Sequence, residues 1–177
     1  MTSSLLASLK DPSGKRRWSV THWLAIVGIP LAAILFQVYV PRFLTYLSYL
    51  ELPLLVTVYF ALLSRSPIAG VCFGMAIGLT QDSLSHNPLG MFGIVKTLVG
   101  YFAASVSQRF NLDNAVVRLV LGFFFFFFHQ FFFWILARAL LGEALDFQPQ
   151  TTLVLAMLNA LVAAPLYHMF DRLRLAG

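Results

Sequence analysis

Charge and cysteine are scarce in this chain. Of its 177 residues, 12 are Lys or Arg, 7 are Asp or Glu, and one is Cys. A single cysteine, Cys72, excludes a disulfide within the chain and any zinc site built on paired thiolates, and its apolar surroundings predict a small buried core residue. Charged residues make up 11% and hydrophobic ones 59%, with mean hydropathy +0.81, which excludes an ordinary soluble domain. The familiar catalytic signatures are missing as well. There is no HExxH, no GxSxG and no glycine-rich phosphate loop following a strand. The four histidines, His22, His86, His129 and His168, are scattered over different stretches. Ser83 and Ser85 near Asp82 and His86 supply triad residue types, but residues crowded into one turn do not reach triad geometry. No catalytic residue, metal site or cofactor is expected.

What the chain does have is long apolar stretches, and these predict an all-α integral membrane protein. A bilayer crossing takes about 20 apolar residues as a helix. The pattern gives one transmembrane domain over residues 1–177 with six spans, about 18–39, 50–64, 67–84, 89–107, 115–141 and 151–170. The basic stretch Lys15, Arg16 and Arg17 before the first apolar run resembles a secretory signal. That run is too long for a signal h-region of about 7–15 residues, so it reads as a retained span. Threading the six spans puts nine of the 12 basic residues on one side: Lys10, Lys15, Arg16, Arg17, Arg65, Arg109, Arg118, Arg172 and Arg174. Arg42 and Arg138 fall on the other, and Lys96 within a span. The positive-inside rule then places both termini in the cytoplasm. The net charge of +5 is spread along that edge, facing anionic lipid, and gives no reason to expect nucleic acid.

Several features inside the spans bear on function. Trp18 and Trp23 suit the cytoplasmic interface, and Pro30 is a candidate kink in the first span. Glu51 is costly if Pro41 to Leu63 forms one helix. The favoured arrangement lays Arg42 to Tyr49 along the outer interface, wets Glu51, and leaves a short crossing from Leu52. In the third span Gly70, Gly74 and Gly78 recur every four residues, forming a groove for a neighbouring backbone, with Asp82 next in register. The fourth span carries Gly93, Lys96, Thr97, Gly100 and Ala104 on one face. Lys96 lies ~12 Å and Asp82 ~9 Å from the turn at Pro88, at ~1.5 Å per residue, so the two are expected to meet. Phe123 to Phe128 reads as lipid-facing bulk. His129 and Gln130 turn inward, and Ala156, Ala160 and Ala164, beside Asn159, form a packing stripe. Glu143 and Asp146 lie in an outer loop.

The hairpin also resembles a known family. Gly78-Leu79-x-x-Asp82, then Leu89-Gly90, then Thr97-Leu98-x-Gly100-Tyr101, with Lys96, is similar to the pattern of the rod shape-determining protein MreD family, over roughly residues 50–110. The resemblance implies a non-enzymatic subunit of the bacterial elongation machinery in the inner membrane. Its members partner the bitopic protein MreC, link indirectly to MreB, and support RodA and its transpeptidase in lateral peptidoglycan synthesis. Their fold is similar to the substrate-binding subunits of energy-coupling-factor transporters. The expected partner-binding groove comprises Gly70, Gly74, Gly78, Asp82, Gly93, Lys96, Gly100 and Tyr101. Two other classes compete: a capture subunit for a vitamin or small solute, with sparse outer polar residues, and an intramembrane enzyme, for which no site assembles.

Overall fold

Prolines and glycines cut the apolar stretches into helices, and a computed structural model shows how those helices pack. It describes residues 20–85, 88, 90–112, 114–142 and 147–175, with the side chains of 20–24 and 173–175 excepted. The basic N-terminal residues, Trp18, the Trp23 side chain, His86, Asn87, Leu89, Glu143 and Asp146 lie outside the described residues. Among the described residues six α-helices follow in order: α1 Val20–Tyr39, α2 Leu52–Ser64, α3 Pro67–Leu84, α4 Met91–Ser107, α5 Ala115–Leu141 and α6 Pro149–Leu175. Two exposed 3-10 turns, Val40–Arg42 and Thr45–Tyr49, join α1 to α2. The stretches Ala25–Arg42, Thr45–Ser64, Ala115–Leu141 and Pro149–Arg172 are long and apolar enough to cross a membrane, and Met91–Ser107 is a shorter apolar helix.

The helix starts follow local chemistry. α2 and α3 each carry proline in the first turn, Pro53 and Pro67, where a missing N–H costs nothing. Asn114 caps α5 by accepting from the Val116 N–H at 2.9 Å. Between α2 and α3 the chain turns sharply at Arg65, which adopts a left-handed φ of 51°.

α2 is the centre post. Every residue from Pro53 to Leu62 is buried, as expected of a helix that is apolar all round. Its 13 residues span only ~20 Å, so protein rather than lipid surrounds most of it. It runs parallel to α4, with Glu51 beside Lys96 at one end and Gln108 Nε2 donating to the Arg65 carbonyl at 3.1 Å at the other. It also runs parallel to α6, through Asn159 at Glu51, Tyr167 at Leu55 and Asp171 at Tyr59. Asn159, fully buried, closes the entry to α2. Its Oδ1 accepts from the Glu51 N–H at 2.9 Å and its Nδ2 donates to the Tyr49 carbonyl at 2.8 Å.

α5 and α6 pack antiparallel, with Gly122 against Ala160 and Ala163. Near the start of α5, Arg118 pairs with Asp171, which also accepts from the Tyr59 hydroxyl at 2.9 Å.

Four expectations change. Cys72 is exposed, because its face of α3 points away from α2 and α4. The phenylalanine run is not uniformly lipid-facing. At about 100° per residue it covers all sides of α5, so Phe125 and Phe126 enter the core while Phe124 stays half exposed. The buried alanine stripe runs through Ala156, Ala160 and Ala163, and Ala164 sits at its edge. Glu51 is not wetted as a surface group. Its side chain is 15% exposed and its Oε2 atom is buried.

Candidate functional site

The α3–α4 hairpin is built on missing side chains. A Cβ on Gly70 would stand 2.2 Å from the Gly100 carbonyl oxygen, one on Gly74 2.1 Å from that of Lys96, and one on Gly78 2.4 Å from that of Phe92. These are backbone atoms that cannot step aside, so only glycine permits the approach. The seam foreseen as an open groove is therefore closed by the other arm of its own hairpin. Gly70, Gly74, Gly78, Gly93, Gly100, Asp82 and Lys96 are all buried, and Tyr101 alone of the expected site residues is exposed.

Asp82 terminates the seam. Its Oδ2 accepts from the N–H groups of Gly90 at 3.0 Å and Gly93 at 2.9 Å, and its Oδ1 from that of Phe92 at 3.2 Å. A carboxylate thus satisfies the otherwise orphaned donors that open α4, where the helix dipole favours negative charge. Gly90 makes the turn possible with a φ of +96°, a conformation that side chains disfavour. Gly93 leaves the carboxylate room to reach in.

The expected Asp82–Lys96 ion pair does not form. Asp82 is spent on backbone donors, and Lys96 faces α2 instead, with Nζ 3.9 Å from Glu51 Oε2 and 4.2 Å from the centre of the Phe92 ring. The lysine is fully buried, and its ammonium has no hydrogen-bond partner. Phe92 in turn stacks on the buried His129 ring, with centroids 6.0 Å apart and planes 9° from parallel. Neither ring nitrogen of His129 has a hydrogen-bond partner. A cation over an aromatic face and close to a carboxylate is stabilised by both, which offsets part of its desolvation.

Sequence reasoning missed the partner, Glu51, because nothing in the chain's periodicity relates the start of α2 to the middle of α4. It also left out Gln37, Arg42 and Gln81. With Glu51 and Phe92 these line a cavity of about 240 Å³ where α3 ends and α4 begins. The only available signal was that each is a polar residue near the end of an apolar stretch.

No group of three or more His, Cys, Asp or Glu side chains that could hold a metal occurs among the described residues. Among the described residues the charged groups cap, pair and pack within an all-helical bundle, several of whose helices are long and apolar enough to cross a membrane, and this defines the class as a helical membrane protein. The family model described as rod shape-determining protein MreD matches residues 18–174, and the chain belongs to that family. Its role accordingly lies in rod-shape determination, in a family of shape-determining structural proteins that is not known as an enzyme family. No curated protein and no solved structure matches the chain.

Proposed function

We propose that this chain is a non-enzymatic scaffold of the bacterial cell-elongation complex, seated in the inner membrane by six spans with both termini in the cytoplasm. It binds the bitopic protein MreC, and through it assists MreB, RodA and its transpeptidase in lateral peptidoglycan synthesis. The family match over residues 18–174 carries this reading. Two features support it. Basic residues sort to one side of the threaded spans. The family's hairpin motif is also closely packed on itself, with its glycines against the backbone of the facing arm and Asp82 bonded to the start of α4, an arrangement suited to presenting a face. The same proposal includes a bundle similar to energy-coupling-factor substrate-binding subunits.

Because the glycines are consumed within the hairpin, the proposed contact with MreC lies on the outward face of α4 that carries Ile94, Tyr101 and Phe102, all exposed. Asp82, Lys96 and the glycines hold that face in shape. Depleting the protein in a rod-shaped host is expected to give rounded cells. Cysteines at Tyr101 and Ile94 are expected to crosslink to co-expressed MreC, while one at exposed Met75 on α3 does not. Rod shape retained after clean deletion defeats the scaffold reading, and crosslinks from α3 alone would move the interface. Tag accessibility at both ends tests the topology.

A further inference from the structure

The cavity at the Gln81 end of the bundle is polar in a way that neither packing nor the partner contact uses. Gln37 Oε1, Glu51 Oε2 and Gln81 Oε1 are buried without a hydrogen-bond partner, and all three side chains line it. Gln81 is only 3% exposed. Just behind Glu51, the Lys96 ammonium is also unpartnered. Folded proteins leave few such atoms unsatisfied, and three lining one cavity, with the ammonium behind them, point to a missing occupant. Its 240 Å³ holds about eight waters' worth of volume at ~30 Å³ each, more than a single bridging water fills.

The arrangement selects the occupant's chemistry. Glu51 Oε2 and Lys96 Nζ stand 3.9 Å apart, beyond the ~2.8 Å of a direct charge-assisted hydrogen bond. A bare cation placed there meets the ammonium, and a bare anion meets the carboxylate. A hydroxyl donates to one and accepts from the other. Two glutamine amides, each both donor and acceptor, extend the same preference. At the rim the charge changes character. Arg42 is exposed, its guanidinium carbon 5.3 Å from the Tyr39 ring centre, and a guanidinium fork suits a phosphate. The site lies at one end of an apolar bundle, the level at which lipid headgroups sit.

We infer that this cavity binds a phosphorylated polyol, hydroxyls inward on Glu51, Gln37 and Gln81, with Lys96 behind Glu51, and phosphate outward on Arg42, as presented by the headgroup of phosphatidylglycerol or by free glycerol phosphate. The inference does not depend on the scaffold reading, since MreC binding is read by other residues and by cell shape.

The test uses the full chain purified in mild detergent and equilibrated with equal amounts of phosphatidylglycerol and phosphatidylcholine carrying the same acyl chains. Native mass spectrometry is expected to show the first retained roughly fivefold or more over the second, a preference of order RT ln 5. Gln81→Leu and Arg42→Ala should each bring the ratio toward parity, and Arg138→Ala, at an exposed arginine on another helix, should leave it unchanged. Arg42 is exposed, so its variant reports even if Gln81→Leu fails to fold. A second arm adds free glycerol phosphate. Loss of the lipid preference identifies the headgroup as the recognised part, and a rise in melting temperature without any lipid preference assigns the site to the soluble form. Parity between the two lipids together with no thermal shift overturns the inference. So does a preference that survives Arg42→Ala, or one abolished equally by Arg138→Ala.

Discussion

Two helical pairs in this bundle, α3–α4 and α5–α6, solve the packing problem in opposite ways. In lipid no hydrophobic force separates helix from solvent, so association rests on dispersion and hydrogen bonding. The α3–α4 pair gains contact by subtraction. Glycines at Gly70, Gly74, Gly78 and Gly100 bring backbone against backbone, and Asp82 then adds hydrogen bonds to the start of α4 that hold the register. The α5–α6 pair meets through small Gly122, Ala160 and Ala163 at ordinary contact distance, while Phe125 and Phe126 of α5 fill the core by bulk. The first arrangement tolerates almost no change at the seam, whereas the second is graded and forgiving.

Substitutions across the two pairs can break that contrast. The largest effect is expected from Gly74→Val, whose side chain meets the Lys96 backbone. Destabilisation beyond about 3 kcal/mol, seen as loss of folded protein from the membrane fraction, is the expected result. A variant that accumulates and melts like the parent shows that the seam is not tight. Lys96→Met comes next. It strips the buried Glu51 of its cation and is expected to cost about 3–5 kcal/mol in a detergent unfolding titration, with part recovered by adding Glu51→Leu, since replacing both partners removes the stranded charge. Additive losses in the double variant would rule out a functional pair.

Within the run of phenylalanines, Phe125→Ala is expected to cost about 3 kcal/mol and Phe124→Ala close to nothing, because only the first is in the core. Equal effects would mean that α5 is rotated. Asp82→Asn keeps one acceptor but loses the charge facing the start of α4, for an expected cost of about 2 kcal/mol by thermal melting. At the mild end, Gly122→Ala places its Cβ 3.5 Å from Ala163, an ordinary contact, and is expected to be neutral or to stabilise by up to ~1 kcal/mol through helix propensity. A loss as large as that from Gly74→Val would erase the difference between the pairs.

Local patterns were readable where one helix carries all the information. The four-residue glycine spacing in α3 and the matching small face of α4 both announced close approach, and the Asp82 position announced a polar terminus. What reads poorly is the identity of the partner. The glycine groove looked open to a second protein because spacing describes one face and not what covers it, and α4, the next helix along the chain, is what covers it. Lys96 looked destined for Asp82 on depth alone. Depth ignores direction, and three backbone N–H groups reached the carboxylate before the lysine did. The phenylalanine run hid its two buried members because six identical residues carry no periodicity.

By itself the amino-acid order determined that this is an apolar helical chain, which of its faces are small, and that its hairpin matches the MreD pattern. Each of these follows from residue type at short spacing, where helix geometry relates one position to the next. Only tertiary packing decided that Glu51 rather than Asp82 meets Lys96, that Asn159 closes the entry to α2, and that Gln37, Arg42 and Gln81 share one cavity. Those groups belong to separate helices, and their meeting depends on how the helices are arranged around α2, which no local periodicity encodes.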